Sequence, residues 1–180
     1  MNTQTDYDKI YAKRLTCLEQ SPDYTILSSM NKPVQSGHKI SQYIVYTDFK
    51  PQSEQVESYS IFVYSPFANV DKRGHSKAEY QSQLLFETNV WERKLHLTVL
   101  ETLGSESRLA FHDFQNMGFA QLALQLLLRL AVRNDYRLIE GNITAFDNTS
   151  FIKMKHILSK ARFVIDTNDH NYTGTFFKQL

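Results

Sequence analysis

A six-residue segment, Gln-Asn-Met-Gly-Phe-Ala at positions 115–120, has residue types suited to binding an anion. Gly118 has no Cβ, so a ligand can approach its backbone closely. If a helix begins directly after it, the N–H groups of the first turn have no partners inside the helix, and the helix dipole adds a partial positive charge. Such a helix start binds phosphate groups. The segment therefore predicts a site for a phosphate-bearing cofactor.

The patterns on either side of this segment predict the elements that would position it. Residues 107–113 read as a strand, and residues 119–133 read as the strongest helix of the chain. The polar residues of this helix are spaced by four and form one narrow stripe: Gln121, Gln125, Arg129 and Arg133. Because its other residues are apolar, we expect it to pack on a sheet with Leu126 and Leu127 in the core. Its second apolar side leaves open a homodimer contact.

The rest of the chain predicts a series of strands before the segment and a crossover after it. Apolar residues at Leu95, Leu97 and Val99 alternate with polar ones, which is the period of a strand. The other predicted elements are a helix at 7–19, strands at 24–30, 40–46, 59–64, 80–88, 93–101 and 137–144, a helix at 150–160, and strands at 163–166 and 172–180. This order predicts an α+β fold, with a mixed, mostly antiparallel, twisted sheet, helices on both faces, and a single domain over residues 1–180.

The pattern Gln-x-x-Gly-x-Ala, filled by Gln115, Gly118 and Ala120, resembles the pyrophosphate loop of the GNAT superfamily of acyl-CoA N-acyltransferases. The resemblance covers residues 93–163. It implies acetyl-CoA, or another acyl-CoA, as the cofactor, and an amine of a small molecule or protein as the acceptor. In that family the two strands beside the cofactor helix splay apart and admit the pantetheine, and here they would be residues 107–113 and 137–144.

The resemblance also assigns cofactor contacts to this loop and to the strand before it. In the family a backbone N–H on that strand polarises the thioester carbonyl, and here the donor would come from residues 111–114. The pyrophosphate would lie on the amides of residues 117–120. The cofactor-binding residues that it implies are Phe111, Asp113, Phe114, Gln115, Asn116, Met117, Gly118, Phe119 and Ala120.

Acyl transfer from a thioester to an amine also needs a group that takes the amine proton. Glu101, His112, Asp113 and Glu140 lie on or beside the predicted central strands. His112 and Glu140 are the candidate bases, because imidazole titrates near neutral pH and a carboxylate beside a strand can accept a proton. Side chains of these types on or beside strands are more often solvated or structurally paired than catalytic, and His96 is more often a histidine satisfied on a sheet face.

The proton donor of the family is harder to place. Its later motif resembles Tyr-x-x-x-Gly-Phe, and with the phenylalanine at Phe163 the tyrosine position holds Leu158 and the glycine position holds Arg162. The motif therefore supplies no acid, and Tyr172 on the final strands is the remaining candidate. Two alternatives to an active enzyme stay open: a GNAT-like binding or regulatory module that has lost its acid, and an unrelated α+β interaction protein.

Composition narrows the class of protein further. The chain has 180 residues and a net charge of +1, so it has no global electrostatic footprint for nucleic acid. Cys17 is the only cysteine, which excludes an internal disulfide, fits a reducing compartment and leaves too few ligands for a structural zinc site. There is no apolar run of about 20 residues, and the first residues lack the basic start of a signal peptide. We expect a cytoplasmic protein with no membrane, nucleic-acid or metal partner.

Overall fold

The computed structural model describes residues 4–32, 41–51, 56–66, 79–102 and 118–180. Within these ranges the chain forms three helices and eight strands. In chain order they are α1 (Gln4–Glu19), β1 (Thr25–Asn31), β2 (Gln42–Thr47), β3 (Ser58–Tyr64), β4 (Ser82–Asn89), β5 (Lys94–Thr102), α2 (Phe119–Arg133), β6 (Leu138–Thr144), α3 (Asn148–Lys160), β7 (Val164–Asn168) and β8 (Thr173–Gln179). Among them no helix is long and apolar enough to span a membrane.

The strands form an eight-stranded sheet in the order β1-β2-β3-β4-β5-β6-β8-β7. The β1–β2, β2–β3, β6–β8 and β7–β8 pairs are antiparallel, whereas β5–β6 is parallel. A parallel neighbour needs a crossover connection, and here α2 lies in the connection between β5 and β6. The prediction of an α+β fold with a mixed, mostly antiparallel sheet is confirmed; the single domain and the helices on both faces stay predictions.

One prediction about the sheet is wrong. The strand beside β6 was expected at residues 107–113, but β5 occupies that place, with Leu95 paired to Ile139 and Leu97 to Gly141. The physical reason is burial: Leu95, Leu97 and Ile139 all belong to the core, so pairing these two strands removes their apolar side chains from water together. Residues 107–113 lie outside the described ranges.

Contacts divide the chain into two compact units, each described here by itself. The first comprises Met1–Phe49, Ser60–Gln83 and Glu101–Ala123. In it, α1 packs against β1 and β2. The residues that form its core cluster are Tyr11, Leu18, Ile44, Tyr46 and Tyr64.

The second unit comprises Lys50–Tyr59, Leu84–Leu100 and Leu124–Leu180. Leu126 and Leu127 of α2 are buried in it, which confirms their predicted place in the core. The α3 helix begins at a cap formed by the Asp147 carboxylate, which accepts a hydrogen bond of 2.8 Å from the Ser150 amide. That bond lowers the pKa of Asp147.

Candidate functional site

The helix start predicted after Gly118 is present. Gly118 has a φ of +87°, a left-handed conformation that side chains rarely adopt, and its carbonyl accepts the first helical hydrogen bond from the Leu122 amide at 3.0 Å. A Cβ at Gly118 would meet no heavy atom of the described residues within 4 Å, so the space beside it is open as far as these residues define it. The side chain of Phe119 is buried and that of Ala120 half-buried. The other predicted cofactor residues, Phe111, Asp113, Phe114, Gln115, Asn116 and Met117, lie outside the described ranges.

The parallel strands β5 and β6 pair with each other over only the first part of their length. Its register runs from Lys94 opposite Leu138 to Leu97 opposite Gly141 and ends there, although β5 continues to Thr102 and β6 to Thr144. The facing backbone groups beyond this point are therefore not paired with each other. Where two strands of a sheet stop pairing toward their carboxyl ends, their facing N–H and C=O groups need other partners, and for this pair the described residues give no pairing between the strands beyond Gly141.

Gly141 marks the point where the two strands separate. A Cβ there would lie 2.6 Å from the Leu97 carbonyl oxygen and 2.4 Å from the Phe176 ring, closer than real Cβ contacts. Only glycine therefore lets β6 approach β5 and β8 at this residue. Beyond it, the side chains of Thr98, Asn142 and Thr144 are exposed.

Glu140, a predicted base, lies before the separation, in the paired part of the two strands. One of its carboxylate oxygens is 3.1 Å from Lys94 Nζ and 3.9 Å from His96 Nδ1. Lys94 also contacts the Glu92 carboxylate at 2.6 Å, and these two hydrogen bonds raise the pKa of Lys94. The structure thus gives Glu140 an ion-pair partner, and its role as a base stays a prediction. His112, the other candidate base, lies outside the described ranges.

Tyr172, the candidate acid, lies at the carboxyl end of β6. Its carbonyl accepts a hydrogen bond of 3.0 Å from the Ala145 amide, and Thr144 is paired with Thr173. Its ring packs on that of Phe151 at the start of α3, with the ring centres 5.8 Å apart. The backbone of Tyr172 has a φ of 53°, in the left-handed region. Tyr172 therefore stands at the end of the strand pair where β5 and β6 have separated.

The end of α3 contains Leu158, the residue that falls on the tyrosine position of the motif compared above, and Arg162 follows this helix. Leu158 is fully buried, so the position that the resemblance gives to an acid belongs to the core. The Phe163 amide donates to the Leu158 carbonyl at 3.1 Å and the Arg162 amide to the Ser159 carbonyl at 2.9 Å, which is the hydrogen-bond pattern of a Schellman motif. Arg162 has a φ of 61° at the position where that motif, like the family pattern, favours glycine.

The sequence interpretation missed a cation, Arg14, that lies among aromatic rings in the first unit. The signal was present in the sequence: within the predicted helix at 7–19, Tyr11, Leu15 and Leu18 share one face, and Arg14, three residues from Tyr11 and four from Leu18, falls on that same face. An arginine within an apolar helix face indicates either a buried pair or a binding site.

The solved structures of known proteins that are similar to this chain share little sequence identity with it. No protein-family model and no curated protein matches the chain. The solved structures similar to it include an acetyltransferase from Bacillus cereus ATCC 14579, at 14% identity over 100% of this chain and 95% of that one, with a TM-score of 0.46. A GNAT-family acetyltransferase from Staphylococcus aureus Mu50 is 8% identical over 68% of each chain, with a TM-score of 0.45. Nourseothricin acetyltransferase is 9% identical over 93% of this chain and 92% of its own, with a TM-score of 0.43. Because identities and TM-scores are this low, the function has to be inferred from the chain's own residues.

Proposed function

We propose that the protein is an acyl-CoA-dependent N-acyltransferase that transfers an acetyl group from acetyl-CoA to an amine of a small molecule or protein. The observation that carries the proposal is the parallel pair β5–β6, whose pairing ends at Leu97 and Gly141 while both strands continue. The pantetheine of CoA is extended and carries two amides. A gap between separating strands offers such a chain backbone donors and acceptors, as a sheet edge does to an added strand.

The start of α2, which lies in the first unit, has a feature of its own that suits a phosphate-bearing cofactor. The amides after Gly118 are at a helix N-terminus, where the helix dipole favours an anion, and no side chain of the described residues lies within 4 Å of the place where a Cβ of this glycine would be. The pyrophosphate of CoA is the anion that the resemblance places on the amides of residues 117–120.

Acyl transfer from a thioester to an amine depends little on individual side chains. The amine nitrogen attacks the thioester carbonyl, the amide C–N bond forms, the C–S bond breaks, and the amine proton leaves to a base. Holding the two reactants together supplies most of the rate enhancement. Since β5, not residues 107–113, lies beside β6, we assign the N–H that polarises the carbonyl to residues 98–100. Tyr172, at the end of β6, is the candidate that protonates the departing sulfur.

A second candidate function is favoured by one observation. Leu158 is fully buried, so the usual acid is replaced by a core residue. A protein that binds acyl-CoA without turning it over, as a binding or regulatory module, accounts for this residue equally well. For either function we propose a cytoplasmic protein, since Cys17 is exposed and has no disulfide.

The experiment that tests the cofactor compares two substitutions at Gly118. Gly118→Ala and Gly118→Glu both place a side chain on a left-handed residue, so they share its backbone strain, and the open space accommodates either Cβ. Only the glutamate adds a negative charge where the pyrophosphate should lie. We expect acetyl-CoA affinity, measured by calorimetry, to fall about tenfold or more in the glutamate variant relative to the alanine variant, which requires only about 1.4 kcal/mol of repulsion.

Equal affinities in the two variants would show that no phosphate lies at this helix start. Turnover against a panel of amines then separates the enzyme from the binding module, because only the enzyme releases free CoA thiol. Tyr172→Phe adds the test of the acid: the enzyme should lose rate at the chemical step without losing acetyl-CoA affinity.

A further inference from the structure

The turn between β4 and β5 carries the one tryptophan of the chain, and its side chain lies on the surface. Trp91 is 87% exposed and the neighbouring Val90 is 43% exposed. The Arg93 amide donates to the Val90 carbonyl at 3.3 Å, and the Glu92 amide donates to the Asn89 side chain at 3.0 Å. The turn is closed by its own hydrogen bonds, so the two apolar side chains project from a backbone that is held in place.

The end of α2 lies beside this turn in the second unit. The Arg137 amide donates to the Arg93 carbonyl at 2.7 Å, and Tyr136 is hydrogen-bonded to the Thr88 side chain. Val132, in the last turn of α2, is 60% exposed. Single exposed apolar residues are ordinary on a protein surface, whereas several on adjacent segments indicate a contact with a partner.

Cations accompany these apolar residues. Within residues 90–94 and 132–137 there are four cations and two acids. One acid, Glu92, pairs with one cation, Lys94, at 2.6 Å, and the other acid is Asp135. The remaining three cations are exposed and have no ion-pair partner among the described residues: Arg93, Arg133 and Arg137. We call these three arginines, with Val90, Trp91 and Val132, the Trp91 patch.

The kinds of side chain in the Trp91 patch distinguish between anionic partners. Single-stranded nucleic acid stacks successive bases on several aromatic rings along a groove. The Trp91 patch instead has one exposed ring, at the tip of a turn, with aliphatic side chains near it. A bilayer surface matches all of these groups, because tryptophan favours the level of the headgroups, apolar side chains reach the acyl boundary, and arginines attract anionic lipids.

The position of the Trp91 patch leaves the candidate site accessible. The patch lies at the amino-terminal ends of β5 and β6, whereas the two strands separate after Leu97 and Gly141, toward their carboxyl ends. Lys94 and Leu97 are about 10 Å apart along the strand. A surface that contacts the amino-terminal ends therefore does not cover the separated ends. An inference about this patch goes beyond the proposed acyl transfer and does not depend on it.

We propose that the Trp91 patch docks the protein on the surface of a bilayer that contains anionic phospholipids. Trp91 and Val90 enter the interface, and the three arginines lie against the headgroups. The sequence predicts no membrane partner because no apolar segment is long enough to span a bilayer, but binding to a bilayer surface needs no such segment. We expect the binding to be reversible, because few residues contribute to it.

The single tryptophan makes the test direct. The full chain is titrated with vesicles of phosphatidylcholine and phosphatidylserine, while the fluorescence of Trp91 and sedimentation with the vesicles are followed. The emission maximum should shift to shorter wavelength as the indole leaves water, and lipids brominated on their acyl chains should quench the emission. Vesicles of phosphatidylcholine alone should bind the protein less tightly. Added salt should release it, because salt screens the arginines.

Variants with matched controls test the residues by sedimentation. Trp91→Ser should weaken vesicle binding about tenfold, through loss of the buried indole, whereas Phe146→Ser, which removes an exposed ring beyond the other end of β6, should preserve it. Arg93→Gln and Arg137→Gln should each weaken binding about fivefold, as expected for one cation near an anionic surface. Lys153→Gln, which removes an exposed cation from the amino-terminal half of α3, should not weaken it.

Circular dichroism establishes that each variant folds, and all the substituted side chains are exposed. The proposal is overturned if vesicles with phosphatidylserine cause neither the shift nor sedimentation, if phosphatidylcholine alone binds as tightly, or if Trp91→Ser binds like the unchanged protein. Titration with poly(U) RNA tests the other anionic partner: quenching of Trp91 by RNA, without binding to vesicles, would assign the patch to nucleic acid. Acetyl-CoA affinity is measured separately, so that loss of either proposal leaves the other intact.

Discussion

Replacing Arg162 by glycine should stabilise the protein. Arg162 is exposed and has a φ of 61° at the end of α3. A left-handed conformation costs a residue with a Cβ about 1–2 kcal/mol. Glycine avoids this cost but loses more chain entropy on folding, which offsets about 0.5–1 kcal/mol. The net gain in the free energy of unfolding for Arg162→Gly is therefore about 0.5–1 kcal/mol.

The gain is measurable by urea titration, and by a rise in Tm of about 1–4 °C for a chain of this length. Arg162→Ala is the matched control, because it removes the same charge and keeps the Cβ, so it should gain nothing. Asp135 has a φ of 59° after α2, and Asp135→Gly changes the charge in the opposite direction. Both glycine variants should be stabilised. If Arg162→Ala is stabilised as much as Arg162→Gly, or if the two glycine variants shift in opposite directions, charge rather than backbone strain is the cause and the reasoning fails.

Two further predictions concern the core. Leu127 is fully buried, so Leu127→Ala should lower the free energy of unfolding by about 2–5 kcal/mol through lost burial and the cavity that the substitution leaves. Gln125→Ala, on the exposed side of the same helix, is the control and should change this free energy little. Equal melting temperatures of the two variants would contradict the placement of α2. Because burial raises the pKa of Tyr46 from 10.0 to about 12, the stability it contributes is complete below pH 10 and is lost as the pH rises from 10 to 12, by about 2–3 kcal/mol. Urea titrations at pH 9 and pH 11.5 should show this loss, and Tyr46→Phe should show less of it.

Local sequence patterns predicted where the helices and strands of this chain lie far better than which strands pair with each other. The α2 helix begins at Phe119 and ends at Arg133 as predicted, because a single polar stripe on an apolar helix identifies its length and its buried side. The pairing of β5 with β6 was not predicted, because the choice among several apolar strands depends on contacts between residues far apart in the chain.

The candidate site was predicted only where it depends on the backbone. A helix begins directly after Gly118 as predicted, since the apolar helical pattern that starts at Phe119 is local, whereas the positive φ of Gly118 was not predicted. The mismatch at Leu158 and Arg162 was readable from the sequence, but its cause, a leucine in the core beside a left-handed arginine, was not. Arg14 was missed because a charged residue on an apolar helix face is ordinarily discounted, and its aromatic neighbours come from two distant strands.

The separation of β5 from β6 also affects how readily the protein self-associates when no ligand fills the gap between the two strands. Backbone groups that face a gap inside a sheet are equivalent to an unprotected sheet edge, the feature through which proteins recruit a foreign strand and aggregate. Thr98 and Val99 lie on the freed stretch of β5 with exposed, uncharged side chains, and Glu101 is the one charged residue of this stretch that could repel a neighbour. A chain held at high concentration without a ligand should therefore self-associate through this stretch, and a ligand that fills the gap should act as its own protection against aggregation.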